Sequence, residues 1–376
     1  MFIKNCKIIY RDRIEEGSVL IKNGKIAAIN PSKVTDSHII DAKGLYLSPG
    51  FIDIHIHGAG GHDTMEGTYE AINAISKAIV KHGTTSFLPT TMTSPTSEIY
   101  AALCAIQGAQ IKGTDGAEVL GVHLEGPFIS PLMVGAQNPL YIQSPSIEAF
   151  KDIVGPYMSL IKTVTLAPEI DGALELIQFL HDHHIVASIG HSKATYHEAQ
   201  LSIKEGISHS THLYNAMTGL HHRDAGVVGA TFDSDITTET ICDGAHVDYP
   251  ALRIAFKQKS TNSMLLVSDA IMACLMPSGS YTLGGQHVTS KDGVVKLANG
   301  ALAGSVLTLD LAIKNVYEHT DYKLFEVVKM ATYNPAKHCQ VDCLKGSIKE
   351  GFDADLVLFD ESIHIHSVIV NGHLKI

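Results

Sequence analysis

Short runs of alternating apolar and polar positions open the chain, at Cys6 to Tyr10, Ser18 to Ile21 and Lys25 to Ile29. Turn signals such as Asn23-Gly24 separate them, which predicts a small antiparallel sheet. The other end reads alike: a turn-rich approach at Gly346 to Gly351, strands expected at Asp355 to Phe359 and Ile363 to Val370, then Asn371-Gly372. Residues 1–48 and 340–376 are therefore expected to form one small β domain. Across 49–339 the pattern changes to apolar strands alternating with helical segments, the mark of a parallel sheet with crossover helices. Eight strands are expected: Phe51 to His57, Thr84 to Thr90, Val119 to Glu125, Thr163 to Pro168, Ile185 to His191, Ile207 to His212, Thr238 to Asp243 and Leu265 to Asp269. Ala71, Ile72, Ala74, Ile75, Ala78 and Ile79 recur at helical spacing between the first two, and Leu174, Ile177, Phe179 and Leu180 do so before the fifth. Eight β/α units of this size match a (β/α)8 barrel, although a doubly wound open sheet shares the local pattern.

Chemistry at the strand ends separates the two folds. Six of the eight expected strands close on a group able to bind metal or move a proton: His55 and His57, Glu125, His191, His212, Asp243 and Asp269. In a barrel these ends meet at one mouth, where active sites lie.

Composition narrows the function. With 376 residues, 45% apolar and 18% charged, the chain is a globular protein of one large and one small domain. The net charge of −11 repels nucleic acid and anionic membranes, so an anionic ligand must be met by specific cations. The N-terminus lacks a signal peptide's apolar run and no stretch approaches the ~18 apolar residues of a spanning helix, so a soluble cytoplasmic protein is expected. Six cysteines without a CxxC pair read as reduced thiols; Cys339 and Cys343 make at most half a metal site. Histidine, at 22, is the unusual count. Most of these, His181, His183 and His184 among them, are expected to face solvent.

In Asp53-Ile54-His55-Ile56-His57 the two histidines lie on one side of a strand, so one cation can bridge them. His364-Ile365-His366 has the same spacing but no nearby carboxylate or third histidine, and is expected at the surface. Glu125, His191 and His212 end three further strands, and carboxylate with imidazole suits Zn²⁺ or Fe²⁺. Five ligands exceed the needs of one open site. Two ions bridged by Glu125 account for them, with His55 and His57 on one and His191 and His212 on the other; a single ion on Glu125, His191 and His212 is the alternative. Asp269, after three apolar residues, would be stabilised beside a cation and able to shuttle protons. Glu169 and Asp243 read as helix caps or as supports for neighbouring ligands. Gly58 to Gly61 is glycine-rich, but neither a Walker sequence nor a GxGxxG follows a strand, which argues against a nucleotide cofactor. Arg223, after His221-His222, offers a fork for phosphate or carboxylate.

Together the stretches Pro49 to Gly58, Gly83 to Ser86, Gly121 to Phe128, Ile189 to Ser192, Thr211 to Met217, Asp243 to His246 and Ser268 to Ala270 resemble the N-acetylglucosamine-6-phosphate deacetylases, a branch of the amidohydrolase superfamily. HLEGPF and THLYNAM are the most specific segments; Gly351 to Val357 is a general amidohydrolase tail. The resemblance implies a (β/α)8 barrel with a small β-sandwich, and hydrolysis of the N-acetyl group of N-acetylglucosamine 6-phosphate. It implies a metal at Glu125, His191 and His212, a second at His55 and His57, and Asp269 as catalytic acid/base. It carries substrate contacts onto Ala136, Gln137, Asn215, Ala216, Arg223, Asp243, Gly244, Ala245, His246, Leu302, Ala303 and Gly304. It further implies a homodimer in which the Arg223 loop reaches the neighbouring subunit's phosphate site. Relatives with histidine in place of Gln137 often lack the HxH pair; here Gln137 coexists with His55 and His57, and a second metal is expected to polarise the amide carbonyl. The rival within the class is an amidohydrolase whose metals share a modified lysine at the end of the fourth strand, where this chain has only Lys162 at the beginning. A catalytically dead barrel retained for binding is the rival outside it.

Overall fold

The computed structural model describes residues 1–34 and 38–376. Its parallel strands follow the expected alternation: Phe51–Ile56, Thr84–Pro89, Val122–Glu125, Ile161–Leu166, Val186–Ile189, Ile207–Ser210, Thr237–Ile241 and Met264–Val267. The third to the eighth form one continuous ladder, and the first pairs with the second. Single parallel bridges join Thr90 to His123 and Ile56 to Ala270, giving a curled parallel sheet. The first and eighth strands are buried at every position, as strands covered on both faces must be. The helix Tyr69–Ile79 starts at Thr68, whose side chain accepts the Ala71 N–H, and buries Ile72, Ile75 and Ile79 against that sheet's core.

Several strands stop short of their expected ends. The fifth ends at Ile189 rather than His191, the sixth at Ser210 rather than His212, and the eighth at Val267 rather than Asp269. The reason lies in the backbone, because His191, His212 and Asp269 adopt left-handed φ values of 48°, 30° and 48°, which cannot continue a ladder. Each costs on the order of 1–3 kcal/mol, a strain that concentrates at functional sites.

Strands from both ends of the chain share one further sheet. Phe2–Ile9 pairs antiparallel with Ile14–Lys22 and parallel with Tyr46–Pro49, and Leu356–Phe359 joins the far side of Tyr46–Pro49. The two-residue turns Asn23-Gly24 and Asn371-Gly372 have positive φ at both positions, as tight hairpins need. Ile3, Ile8, Val19, Leu47, Leu356 and Ile369 form this sheet's own apolar cluster.

Lys345 ties the two sheets together. Its buried Nζ donates to Asp355 at 2.6 Å and to Glu118, just before the third parallel strand, at 2.7 Å. Lys345→Ala is expected to lower the free energy of unfolding in urea by about 3 kcal/mol. That is the low end for orphaning a buried charge, since Glu118 stays partly in water. A change within experimental error would show that the clamp contributes nothing.

An antiparallel meander after the eighth strand, Gly279–Leu283, Gln286–Lys291 and Val294–Leu297, was not anticipated from the sequence. The turns Gly284-Gly285 and Asp292-Gly293 are its signals. Leu283, Val288 and Val295 pack on Met92 and Ile271, beside the mouth of the curled sheet. Among the described residues no helix is long and apolar enough to cross a membrane.

Candidate metal centre

The five expected ligands converge. Oε1 of Glu125 lies 3.2 Å from Nε2 of both His191 and His212 and 3.5 Å from Nε2 of His55, while Oε2 lies 3.3 Å from Nε2 of His57. The imidazoles themselves approach closely: His55 to His57 at 3.3 Å and His191 to His212 at 3.1 Å, Nε2 to Nε2. These spacings are near the ~3.3 Å edge of a tetrahedron of nitrogens ~2.05 Å from one ion. All five side chains are buried.

The other faces of the rings decide what points inward. Nδ1 of His57 meets the carbonyl of Thr90 at 3.2 Å and Nδ1 of His191 that of Met133 at 2.9 Å. A carbonyl only accepts, so Nδ1 carries the proton and Nε2 presents its lone pair to the cluster. Nδ1 of His55 meets the Glu239 carboxylate at 2.8 Å with the same result. Lone pairs aimed at one another in a dry interior repel unless a cation lies between them, so this donor set fits a divalent metal. The carboxylates draw positive charge to these nitrogens, as a proton where no metal ion competes: burial alone would lower the pKa of His57, yet Asp269 and Glu125 push it up to about 9. His55 is likewise raised well above the ordinary imidazole value, against burial, by Glu239, Glu125 and Asp269. The cluster's surplus of negative charge calls for a cation.

Asp269 belongs to the same cluster, with Oδ1 3.3 Å from His57 Nε2 and 3.5 Å from His55 Nε2. Burial raises its pKa, but positive charge on His55 and His57 outweighs burial and holds it below the usual carboxylate value, so it stands as a carboxylate. Close packing aligns the neighbouring ends: a Cβ on Gly190 would lie 2.7 Å from Thr165 Cγ2 and 2.8 Å from Thr211 Cβ, so only glycine lets these strands approach just before His191.

A cavity of about 450 Å³ opens beside the cluster, and Ala136, Gln137, Asn215, Ala216, His246, Leu302 and Gly304 line it. Asp243 lies behind His246 and accepts its Nδ1–H at 2.7 Å as well as the N–H groups of Ala245 and His246. Gly244 packs on the Tyr249 ring, Ala245 is exposed, and Ala303 is buried in the meander's apolar cluster. Arg223 is exposed, outside that lining, with its guanidinium 2.6 Å from His222 Nε2. Gln137 is already engaged. The Thr93 N–H can only donate, at 2.7 Å, so it fixes the amide oxygen and leaves Nε2 donating to Glu125 at 2.6 Å.

Glu169 accepts from the Ser192 hydroxyl and the Lys193 N–H, supporting the turn after His191. Lys162 is the second residue of its strand, which ends at Leu166, so no lysine stands at that strand end. His364 and His366 are exposed as expected, although Asp360 does face His366, at 3.1 Å. His181, His183 and His184 are exposed, and no cysteine is in a disulfide or in a metal-competent group among the described residues. Three polar groups below the cluster went unread in the sequence: Glu239, His123 and His209, all fully buried. A lone Glu between threonines in a strand flanked by apolar residues was the available signal.

The chain belongs to the amidohydrolase family, whose profile matches residues 46–375. Within that family its similarity is to acetylamino-sugar phosphate deacetylases. It is 39% identical to an N-acetylglucosamine-6-phosphate deacetylase of Lysinibacillus sphaericus, over 100% of this chain and 98% of the relative. It is 36% identical to an N-acetylgalactosamine-6-phosphate deacetylase of Escherichia coli O157:H7, over 96% and 95%. The crystal structure of the N-acetylglucosamine-6-phosphate deacetylase from Pasteurella multocida superposes with a TM-score of 0.94 at 33% identity, covering 99% of this chain and 98% of that one.

Proposed function

We propose that this protein is a metal-dependent hydrolase that converts N-acetylglucosamine 6-phosphate to glucosamine 6-phosphate and acetate, in amino-sugar catabolism and recycling. The observation that carries the reading is the meeting of His55 and His57 on one side and His191 and His212 on the other at a shared Glu125, with Asp269 in contact, beside a cavity of sugar-phosphate size. In this reading the parallel strands close as a (β/α)8 barrel over 49–339, and residues 1–48 and 340–376 form a β-sandwich domain. Glu125, His191 and His212 would hold one divalent ion, zinc or iron, and Glu125 with His55 and His57 a second.

A bound divalent ion supplies Lewis acidity, which lowers the pKa of water from 15.7 towards about 7 and polarises a carbonyl. The rest falls to the chain. Asp269 takes the proton from the attacking water as the C–O bond forms. It then returns that proton to the departing nitrogen as the C–N bond breaks, so that the amine leaves neutral. Gln137 holds Glu125 through its N–H, and a second ion at His55 and His57 would supply the polarisation of the carbonyl. Asp243 raises the pKa of His246 against the effect of burial, favouring an imidazolium that suits a hydroxyl or phosphate oxygen. The backbone of Ala136, Asn215, Ala216 and Leu302 to Gly304 shapes the sugar subsite, with Gly244 and Ala245 forming the turn that presents His246. Arg223 reaches the phosphate of a neighbouring subunit in a cytoplasmic homodimer.

Enzyme carrying its metal should release acetate and expose a primary amine on N-acetylglucosamine 6-phosphate; no release would leave a binding protein. The similarity to the Escherichia coli relative favours a second reading, N-acetylgalactosamine 6-phosphate as substrate, and kcat/KM for the two sugars decides between them. Arg223→Ala should raise KM for the phosphorylated sugar at least tenfold, as loss of a charge-assisted bidentate contact does, and leave KM for unphosphorylated N-acetylglucosamine unchanged. Equal effects on both would remove Arg223 from the phosphate site.

A further inference from the structure

Glu239 lies within the seventh strand, Thr237–Ile241, and is completely buried. Among the described residues its ion-pair partners are histidines, not lysine or arginine. Its Oε2 accepts from Nδ1 of His55 at 2.8 Å and from the backbone N–H of His212 at 3.1 Å, and its Oε1 faces Nε2 of His209 at 3.3 Å. One oxygen thus touches one residue from each half of the metal cluster, on strands far apart in the chain. The contact to the His212 N–H falls on the left-handed turn that presents that imidazole. The contact to His55 is different in kind from those to His57 and His191, whose Nδ1 atoms meet neutral backbone carbonyls. A carboxylate on the far side of a ligating imidazole fixes its tautomer and increases the basicity of its other nitrogen.

We propose that Glu239 is a positioning residue for the metal centre: its charge gives the His55/His57 half its affinity for a divalent cation, and its geometry holds the turn of His212. This rests on the reading that His55 and His57 hold an ion of their own. A purely structural role, satisfying buried histidines, predicts that any isosteric hydrogen-bonding residue would serve equally.

Glu239→Gln separates the two. Its amide oxygen can accept from both His55 and the His212 N–H while its NH₂ donates to His209, whose own proton then moves to Nδ1, 2.6 Å from the Thr237 hydroxyl. Contacts are kept and the charge is lost. Zinc titrations against a competing chelator should give two equivalents for the wild type. In Glu239→Gln the weaker-bound equivalent, identified by its absence in His55→Asn, should lose about 10- to 100-fold in affinity while the other is unchanged. Glu239→Leu should lose that equivalent and weaken the other. Unchanged affinities in Glu239→Gln would overturn the inference while leaving the two-ion reading intact. A wild type that takes up only one equivalent would overturn both. Should Glu239→Leu fail to fold, the Gln variant still decides. A readout free of variants at Glu239 is available in ¹⁵N-histidine spectra of zinc-loaded wild type, assigned through His55→Asn. His55 should carry its proton on Nδ1, and a proton on Nε2 would refute the assignment.

Discussion

Asp269→Asn lowers kcat for acetate release by about 10²- to 10⁴-fold and leaves the metal content per chain unchanged; this is the expected result of removing a proton shuttle without disturbing its surroundings. Asparagine keeps the shape of the side chain and tolerates the left-handed backbone at this position, where φ is 48°. The backbone is independently anchored, its N–H on the His55 carbonyl at 2.9 Å and its carbonyl accepting from the Ser305 N–H at 2.8 Å. What disappears is an oxygen that can hold a proton between attack and departure. Turnover within tenfold of the wild type, with metal in place, would pass the shuttle to another group, such as His246 at the cavity wall.

Glu125→Ala should remove the metal as well as the activity. Its two oxygens are the negative charge that every inward-facing imidazole approaches, at 3.2 to 3.5 Å. Without them, four neutral rings and Asp269 remain to balance a divalent ion. Partners that only support a ligand cost 10- to 100-fold in affinity when lost, so removing the shared ligand itself must exceed that range. Metal analysis after dialysis against a mild chelator measures this directly. A variant that still carries its metal and turns over would show that His191 and His212 suffice, and would end the bridged arrangement.

Much of this centre was legible because its residues terminate strands, a position that periodicity reveals. The contrast between His55-Ile56-His57 and His364-Ile365-His366 was legible too, since only the first pair recurs with chemistry at other strand ends. The ends themselves were misplaced by two residues at His191, His212 and Asp269, because a strand pattern carries no sign of a left-handed turn. Glu239 escaped for a topological reason: its partner His55 lies 184 positions earlier, and nothing local says which face of the seventh strand looks inward. Gln137 was assigned to the substrate by resemblance, and it does line the cavity; what the sequence did not show is that its amide also pairs with Glu125 and Thr93, which only the folded loop creates. The meander at Gly279–Leu297 shows no apolar alternation strong enough to separate it from a loop.

The sheet woven from both ends of the chain has a consequence for biosynthesis. The strand that covers the exposed flank of Tyr46–Pro49 is Leu356–Phe359, which is made only after all eight parallel strands have followed. While those intervening strands are being made, that flank offers unpaired backbone groups to any passing nascent chain. A polypeptide cut before Leu356 would make that passing vulnerability permanent, and such a product is expected in inclusion bodies.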